Sequence, residues 1–478
     1  MTALTAILTI LGYLVLMFAV SAISSRGSDN NTFFRGGRQS SWMMVAFAMI
    51  GSVMSGVTFV SVPGWVGSSG MAYMQMCLGF IAGYFIIAFV LIPLYFKLNV
   101  ISIYQYLEQR FGLASYKTGA WFFFLSKLLG AAVRLFIVCV SLQLLIFEPA
   151  GLPFWLNVLF SMAVVFAYTV KGGVRSVIWI DILRTLCMIV AVVLTIIFIA
   201  GSLDLNIVSA ISDSPHSKVF FFDDPLSGQY FWKQFFGGLF AVVAMTGLDQ
   251  DMMQRTLSCK NYKDSQKNLI TSVFLQVGLI FLFLCLGVLL QIFAESRGIP
   301  YRGDELFPAI ATGGYLPGIV GILFLLGLVS AAYGAGGSAL TSLTTSFTID
   351  IVGIKGKDEA AIAALRRRIH IGMAVLMAAV IIIFNALNST SAIDAVYKIA
   401  SYTYGPLLGM FAFGIACRKK LHDRWVPVVA IIAPAICLLL DLNSESLLGG
   451  YKFSYELLAL NAVLTILGLS LLIRRKEG

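Results

Sequence analysis

The residues with the most chemical potential in this chain are small ones. Gly51, Ser52, Ser55, Gly56 and Thr58 crowd together inside Met49-Ile-Gly-Ser-Val-Met-Ser-Gly-Val-Thr-Phe-Val-Ser-Val-Pro-Gly64. The surrounding segment, 42–67, is apolar and long enough to cross a bilayer. Two glycines and three hydroxyls at its centre weaken the helix. A helix opened there exposes carbonyl and hydroxyl oxygens that can hold a cation or a polar solute. Close helix packing through small residues is the plainer alternative. A second group is ionic. Arg134, Asp181 and Arg184 fall within apolar segments, and Asp249 and Asp251 lie near the inner end of another. Charges at such depth need partners. Lys127 and Lys398 lie nearer segment edges, where snorkelling to the interface accounts for them.

The elements that carry these residues belong in a membrane. Of 478 residues, 59% are hydrophobic and 12% charged, with a mean hydropathy of +0.91. Soluble domains are about a quarter charged, so the fold class is an all-α integral membrane protein. The net charge of +10 does not signal a nucleic-acid partner, because the basic residues sit in short loops between apolar segments. Residues 1–25 contain no Lys or Arg, which reads as a retained span rather than a leader. The seven cysteines form no CxxC pair, and the three histidines lie in loops or at segment ends. Neither a metal site nor a histidine proton relay is indicated. No Walker, GxSxG or HExxH pattern occurs, so nothing supports an enzyme or an obligate protein partner.

Hydropathy gives thirteen candidate spans: 3–24, 42–67, 71–96, 118–147, 153–170, 175–202, 230–254, 268–294, 317–349, 369–387, 392–417, 425–441 and 454–473. Numbered from 0 to 12, they form a single domain over 1–478. Alternate loops hold 24 of the 33 basic residues, Arg255 among them, and the opposite loops only five. The positive-inside rule then puts the N-terminus outside and the C-terminus inside a multi-pass inner-membrane protein. Residues 101–111 read as a short amphipathic helix at the inner face. Residues 204–230 form the longest outer loop, either a gate cover or a solvated connector. Phe236 to Asp251, interrupted by Gly237, Gly238 and Gly247, mirrors the segment around Gly51 five spans later. An odd-numbered repeat must be inverted.

Several motifs together carry a resemblance. Phe34-Arg-Gly-Gly-Arg38, Ser55-Gly-Val-Thr-Phe59, Lys171-Gly-Gly-Val-Arg-Ser-Val-Ile-Trp-Ile-Asp181, Gly247-Leu-Asp-Gln-Asp-Met-Met-Gln-Arg255 and Ala339-Leu-Thr-Ser-Leu-Thr-Thr-Ser-Phe-Thr-Ile-Asp350 resemble the solute:sodium symporter family, in its sugar and sialic-acid branch. The resemblance implies a leucine-transporter-like 5+5 inverted-repeat core over 42–417 with broken helices 1 and 6. One extra helix, 3–24, precedes it and two, 425–473, follow. It implies import of a small polar solute (a sugar or an organic acid) by alternating access, with sodium the only ion cofactor.

The implied sites follow the motifs. Sodium ligands would be Gly51 and Met54 of span 1 with Ala331, Gly334 and Ala335 of span 8. This chain departs from the family there, since Gly334 and Ala335 stand where familiar members carry serines. A second cation position matches Asp181 with Ser338, but Arg184, three residues on, can pair with Asp181 and replace the ion by a tethered charge. Ser55 and Thr58 match hydroxyls that bind the acid group in sialic-acid members, and Arg134 matches an arginine of the same proteins. A structural arginine capped by carbonyls is the alternative for Arg134. Tyr73, Gln75, Gln250 and Tyr404 are further solute-lining candidates. Two rival readings remain: a sodium-independent carrier, proton-coupled or facilitative, and a sensor or scaffold that no longer transports.

Overall fold

The computed structural model describes residues 3–24, 40–54, 56–100, 102–204, 206–300, 303–387, 392–447, 449, 451, 453 and 455–474. Helices account for nearly all regular structure in them. In chain order they are α1 (Ala3–Ser24), α2 (Trp42–Val53), α3 (Gly56–Ser69), α4 (Tyr73–Leu98), α5 (Gln105–Arg110), α6 (Leu113–Leu142), α7 (Phe154–Ser202), α8 (Ile207–Ser212), α9 (Phe231–Gly247) and α10 (Gln250–Thr256). Then come α11 (Tyr262–Arg297), α12 (Leu306–Thr312), α13 (Gly318–Val352), α14 (Glu359–Leu387), α15 (Ala392–Ala416), α16 (Val426–Leu442) and α17 (Leu457–Leu471). Nine helices among the described residues are long and apolar enough to cross a bilayer, and two bent pairs raise that to eleven. Phe154–Val170 and Leu457–Leu471 are shorter apolar helices.

The bends fall where glycine and hydroxyls weaken the sequence. α2 stops at Met54, whose backbone is extended at φ −76° and ψ 116°, and α3 leaves at 58° to it. α9 ends in a π-turn over Val243–Gly247, and α10 departs at 70°. Unwinding frees main-chain groups that must be satisfied inside the protein. At the second bend two tyrosines do this. The Tyr95 hydroxyl donates to the Gly247 carbonyl at 2.9 Å, and that of Tyr104 to the Leu248 carbonyl at 2.8 Å. Asp249 then caps α10, accepting from the Asp251 and Met252 amides.

One expectation about connectivity changes. The loop between spans 4 and 5 is absent, because helical backbone runs unbroken from Phe154 to Ser202. At 1.5 Å per residue that length is about 74 Å, over twice a hydrocarbon core, so α7 carries two apolar stretches rather than one crossing.

Small residues set how the helices meet. Side chains added at Gly79 and Gly83 of α4 would run into the backbone of Phe235 and Leu239, and one at Gly238 of α9 into that of Met76. α4 and α9 therefore touch backbone to backbone. On α13, Gly334 lies under the Arg184 side chain, Gly336 under Leu135 and Gly337 under the Tyr168 hydroxyl. The glycine face of α13 is thus covered by side chains of α6 and α7.

Candidate functional site

The bend between α2 and α3 borders a cavity of about 120 Å³. Ser52, Met54 and Thr58 line it from the first bend, Tyr73 and Phe80 from α4, and Ser126, Lys127 and Arg134 from α6. Thr246, Asp249 and Met252 close it from the second bend, with Gln276 and Tyr404 opposite. Both bends thus face one space. Its lining mixes apolar side chains with hydroxyls, an amide and charges, which can fix the orientation of a polar solute.

Two kinds of charge meet this cavity. Arg134 is half-buried and forms no ion pair or hydrogen bond among the described residues. Lys127 is buried, and its ammonium group contacts Asp249 at 3.2 Å and Asp251 at 2.8 Å. Snorkelling is therefore overturned for Lys127. The reason is that α10 brings two carboxylates to its side, from more than a hundred residues away. Lys398 keeps its exposed side chain and pairs with Asp441 at 3.2 Å.

The carboxylates extend the contact chain away from the cavity. Arg255 joins Asp251 at 2.8 Å to Asp181 at 2.7 Å, and Arg184 closes on the other Asp181 oxygen at 2.9 Å. The Ser52 hydroxyl also donates to Asp181, at 2.9 Å. Arg255 donates to the Ser338 hydroxyl as well. Asp181 and Arg184 are completely buried and Arg255 is 1% exposed. Arg255 is thus no topogenic loop charge, because the bend after α9 turns it inward. The pairing of Arg184 with Asp181 expected from their spacing is present.

The remaining candidates separate clearly. Thr58 and Tyr73 lie at the cavity; Ser55 lies outside the described residues. Gln75 lies away from it, with its amide receiving the Phe221 N–H at 3.0 Å and donating to the Gln229 carbonyl at 2.9 Å. Gln250 is buried and accepts from the Ile103 amide at 3.0 Å. Both glutamines hold main chain, one in the outer loop and one before α5. Tyr404, a secondary candidate, lines the cavity and donates to Asp249 at 2.6 Å. Of the expected sodium ligands, Met54 lines the cavity, Ala331 and Gly334 lie against Arg184, and a side chain on Gly51 would strike the Asp181 carbonyl and Thr185; Ala335 lies beside Gly334 in the sequence of α13. No group of three or more His, Cys, Asp or Glu side chains suited to a metal ion occurs among the described residues.

A bent-helix cavity walled by intramembrane charges is what a solute carrier requires, and the sequence agrees. A family model described as the sodium:solute symporter family matches residues 33–422. The chain belongs to that family. It is a multi-span membrane transporter and not an enzyme. A sodium/sialic acid symporter, NanT of Aliivibrio fischeri, is 27% identical over 451 residues, covering 90% of this chain and 86% of the relative. The human sodium/iodide cotransporter is 24% identical over 474 residues, covering 89% and 71%. A solved Na⁺-coupled sialic acid symporter, substrate-bound and outward-open, shares the fold with a TM-score of 0.85 at 20% identity, over 98% of this chain and 97% of that one.

Proposed function

We propose that this family member imports a small organic anion, with a carboxylate seated against Arg134. The observation that carries the reading is the Arg134 guanidinium on the cavity wall, without an ion pair or hydrogen bond among the described residues. Elsewhere around the cavity, Lys127 is neutralised by Asp249 and Asp251, so among the described lining residues Arg134 is the cation without a counter-charge. A guanidinium offers a planar pair of donors that matches a carboxylate. Thr58 supplies a hydroxyl to the same lining, and Tyr73 an aromatic surface. The names of the two relatives above, sialic acid and iodide, are both those of anions, which favours the same class here.

The wider architecture follows the same reading. The two bent pairs, eight further long helices, the shorter Leu457–Leu471 and the two apolar stretches of α7 account for thirteen crossings of one domain, the N-terminus outside and the C-terminus inside. Residues 42–417 form a 5+5 inverted repeat in which α2–α3 and α9–α10 are equivalent. Alternating access to the cavity moves the solute across the cytoplasmic membrane.

The test is binding of a solute panel to purified full-length protein, pairing each sugar acid and short-chain acid with its neutral amide. An acid should bind at least about tenfold tighter than its amide, the least expected from one charge-assisted hydrogen bond. A neutral solute as the best ligand would overturn the reading.

A further inference from the structure

We infer that Arg184 is a built-in cation standing where a coupling sodium ion would bind, so that solute binding does not depend on sodium. This rests on the transporter reading above and concerns only what drives it. Three observations converge on one spot between α2, α7 and α13.

The first is occupancy. The guanidinium of Arg184 lies against Gly334, with Nη1 only 2.7 Å from where a side-chain carbon on that residue would begin. It donates to the Ala331 carbonyl at 3.3 Å and contacts Asp181 at 2.9 Å. A serine at 334 would point its hydroxyl into this guanidinium. One turn on, the Tyr168 hydroxyl lies over Gly337 and donates to the Tyr333 carbonyl. Both bare patches of α13 are therefore covered by side chains of α7.

The second is the fate of the oxygens. A dehydrated sodium ion needs several of them at once. The Ala331 carbonyl accepts from Arg184; of the two Asp181 oxygens, one lies in ion-pair contact with Arg184 and the other meets Arg255 and accepts from Ser52. The Ser338 hydroxyl accepts from Arg255. An entering ion would have to displace a covalently attached cation from each.

The third is charge balance. Lys127, Arg255 and Arg184 alternate in contact with Asp249, Asp251 and Asp181, three cations against three carboxylates. A sodium ion added to this buried chain would leave an uncompensated positive charge away from water. Ion coupling requires that the ion bind the two access states with different affinity. An ion with no seat supplies no such difference.

The experiment uses purified full-length protein in lipid nanodiscs. Binding of radioactive sodium is measured without solute, and binding of the solute found above is measured in sodium, potassium and choline chlorides at equal ionic strength. The expected result is no saturable sodium binding and a solute affinity equal in the three salts. Saturable sodium binding, or a solute affinity about tenfold higher in sodium, overturns the inference while leaving the transporter reading intact. A protein that binds no solute at all sinks the transporter reading instead, and the sodium measurement still decides this one. The variant Arg184→Gln with Gly334→Ser and Ala335→Ser removes the tethered charge and restores hydroxyls. It should acquire saturable sodium binding; a monodisperse triple variant that acquires none would show that Arg184 is not the occupant. The wild-type measurement decides the matter whether or not that variant folds.

Discussion

Two arginines within the membrane answer to different masters. Arg134 of α6 stands at the cavity wall with no ionic partner among the described residues, whereas Arg184 of α7 is wholly buried and held by Asp181 and the Ala331 carbonyl. Their residue type is the same and their depth in an apolar segment is similar. What differs is whether the fold itself supplies their counter-charge. A cation that the fold has already neutralised contributes to assembly, and one left open to a cavity waits for something from outside.

That contrast can be broken from either end. The largest effect is expected from Asp181→Asn, which leaves Arg184 and Arg255 facing one another without their shared counter-charge. Removing one member of a buried ionic network typically costs about 3–5 kcal/mol. The variant should show a collapsed melting temperature and aggregated elution by size-exclusion chromatography, whether or not solute is present. Wild-type thermal stability in that variant would mean that the contact chain contributes little.

Arg134→Lys should do the reverse. It keeps the charge and loses the planar fork, so affinity for an acidic solute should fall by about 1.5–3 kcal/mol, tenfold or more. Melting temperature without solute should stay at the wild-type value, because no internal partner among the described residues is abandoned. A melting temperature lowered as far as that of Asp181→Asn would place both arginines in the same class and erase the distinction.

The mildest test lies between the two regions. Tyr404 lines the cavity and also donates to Asp249. In Tyr404→Phe, Asp249 retains Lys127 and the amides of α10, so stability should drop by only about 1 kcal/mol. Thermal unfolding with and without solute would separate this small cost from any loss of solute contact.

The sequence is eloquent about breaks and poor about long-range partners. The bends at Met54 and after Gly247 were readable because glycine and hydroxyl residues are conspicuous in apolar segments. The Asp181–Arg184 pair was readable because three residues make nearly one helical turn. Lys127 was not, since its two carboxylates are joined to it only by the tertiary fold. Arg255 escaped for a related reason. It lies just past an apolar window and counts as a loop charge unless the bend is known to turn it inward. Gln75 and Gln250 attracted attention as polar residues near broken segments, but their amides are taken by main-chain groups of neighbouring loops. The expected loop after Val170 gave way to unbroken helix, because Lys171-Gly-Gly-Val-Arg175 contains no proline to stop one.

The glycine contact between α4 and α9 has a mechanical meaning. Where two backbones touch with no intervening side chains, one helix cannot slide along the other without meeting its carbonyls and amides head-on. The pair behaves as a girder. Any rearrangement that opens or closes the cavity must carry Tyr73, Phe80 and Thr246 together, on one face of that girder, and must find its slip planes elsewhere. Enlarging Gly79 or Gly238 would accordingly wedge the girder apart and spoil both faces at once.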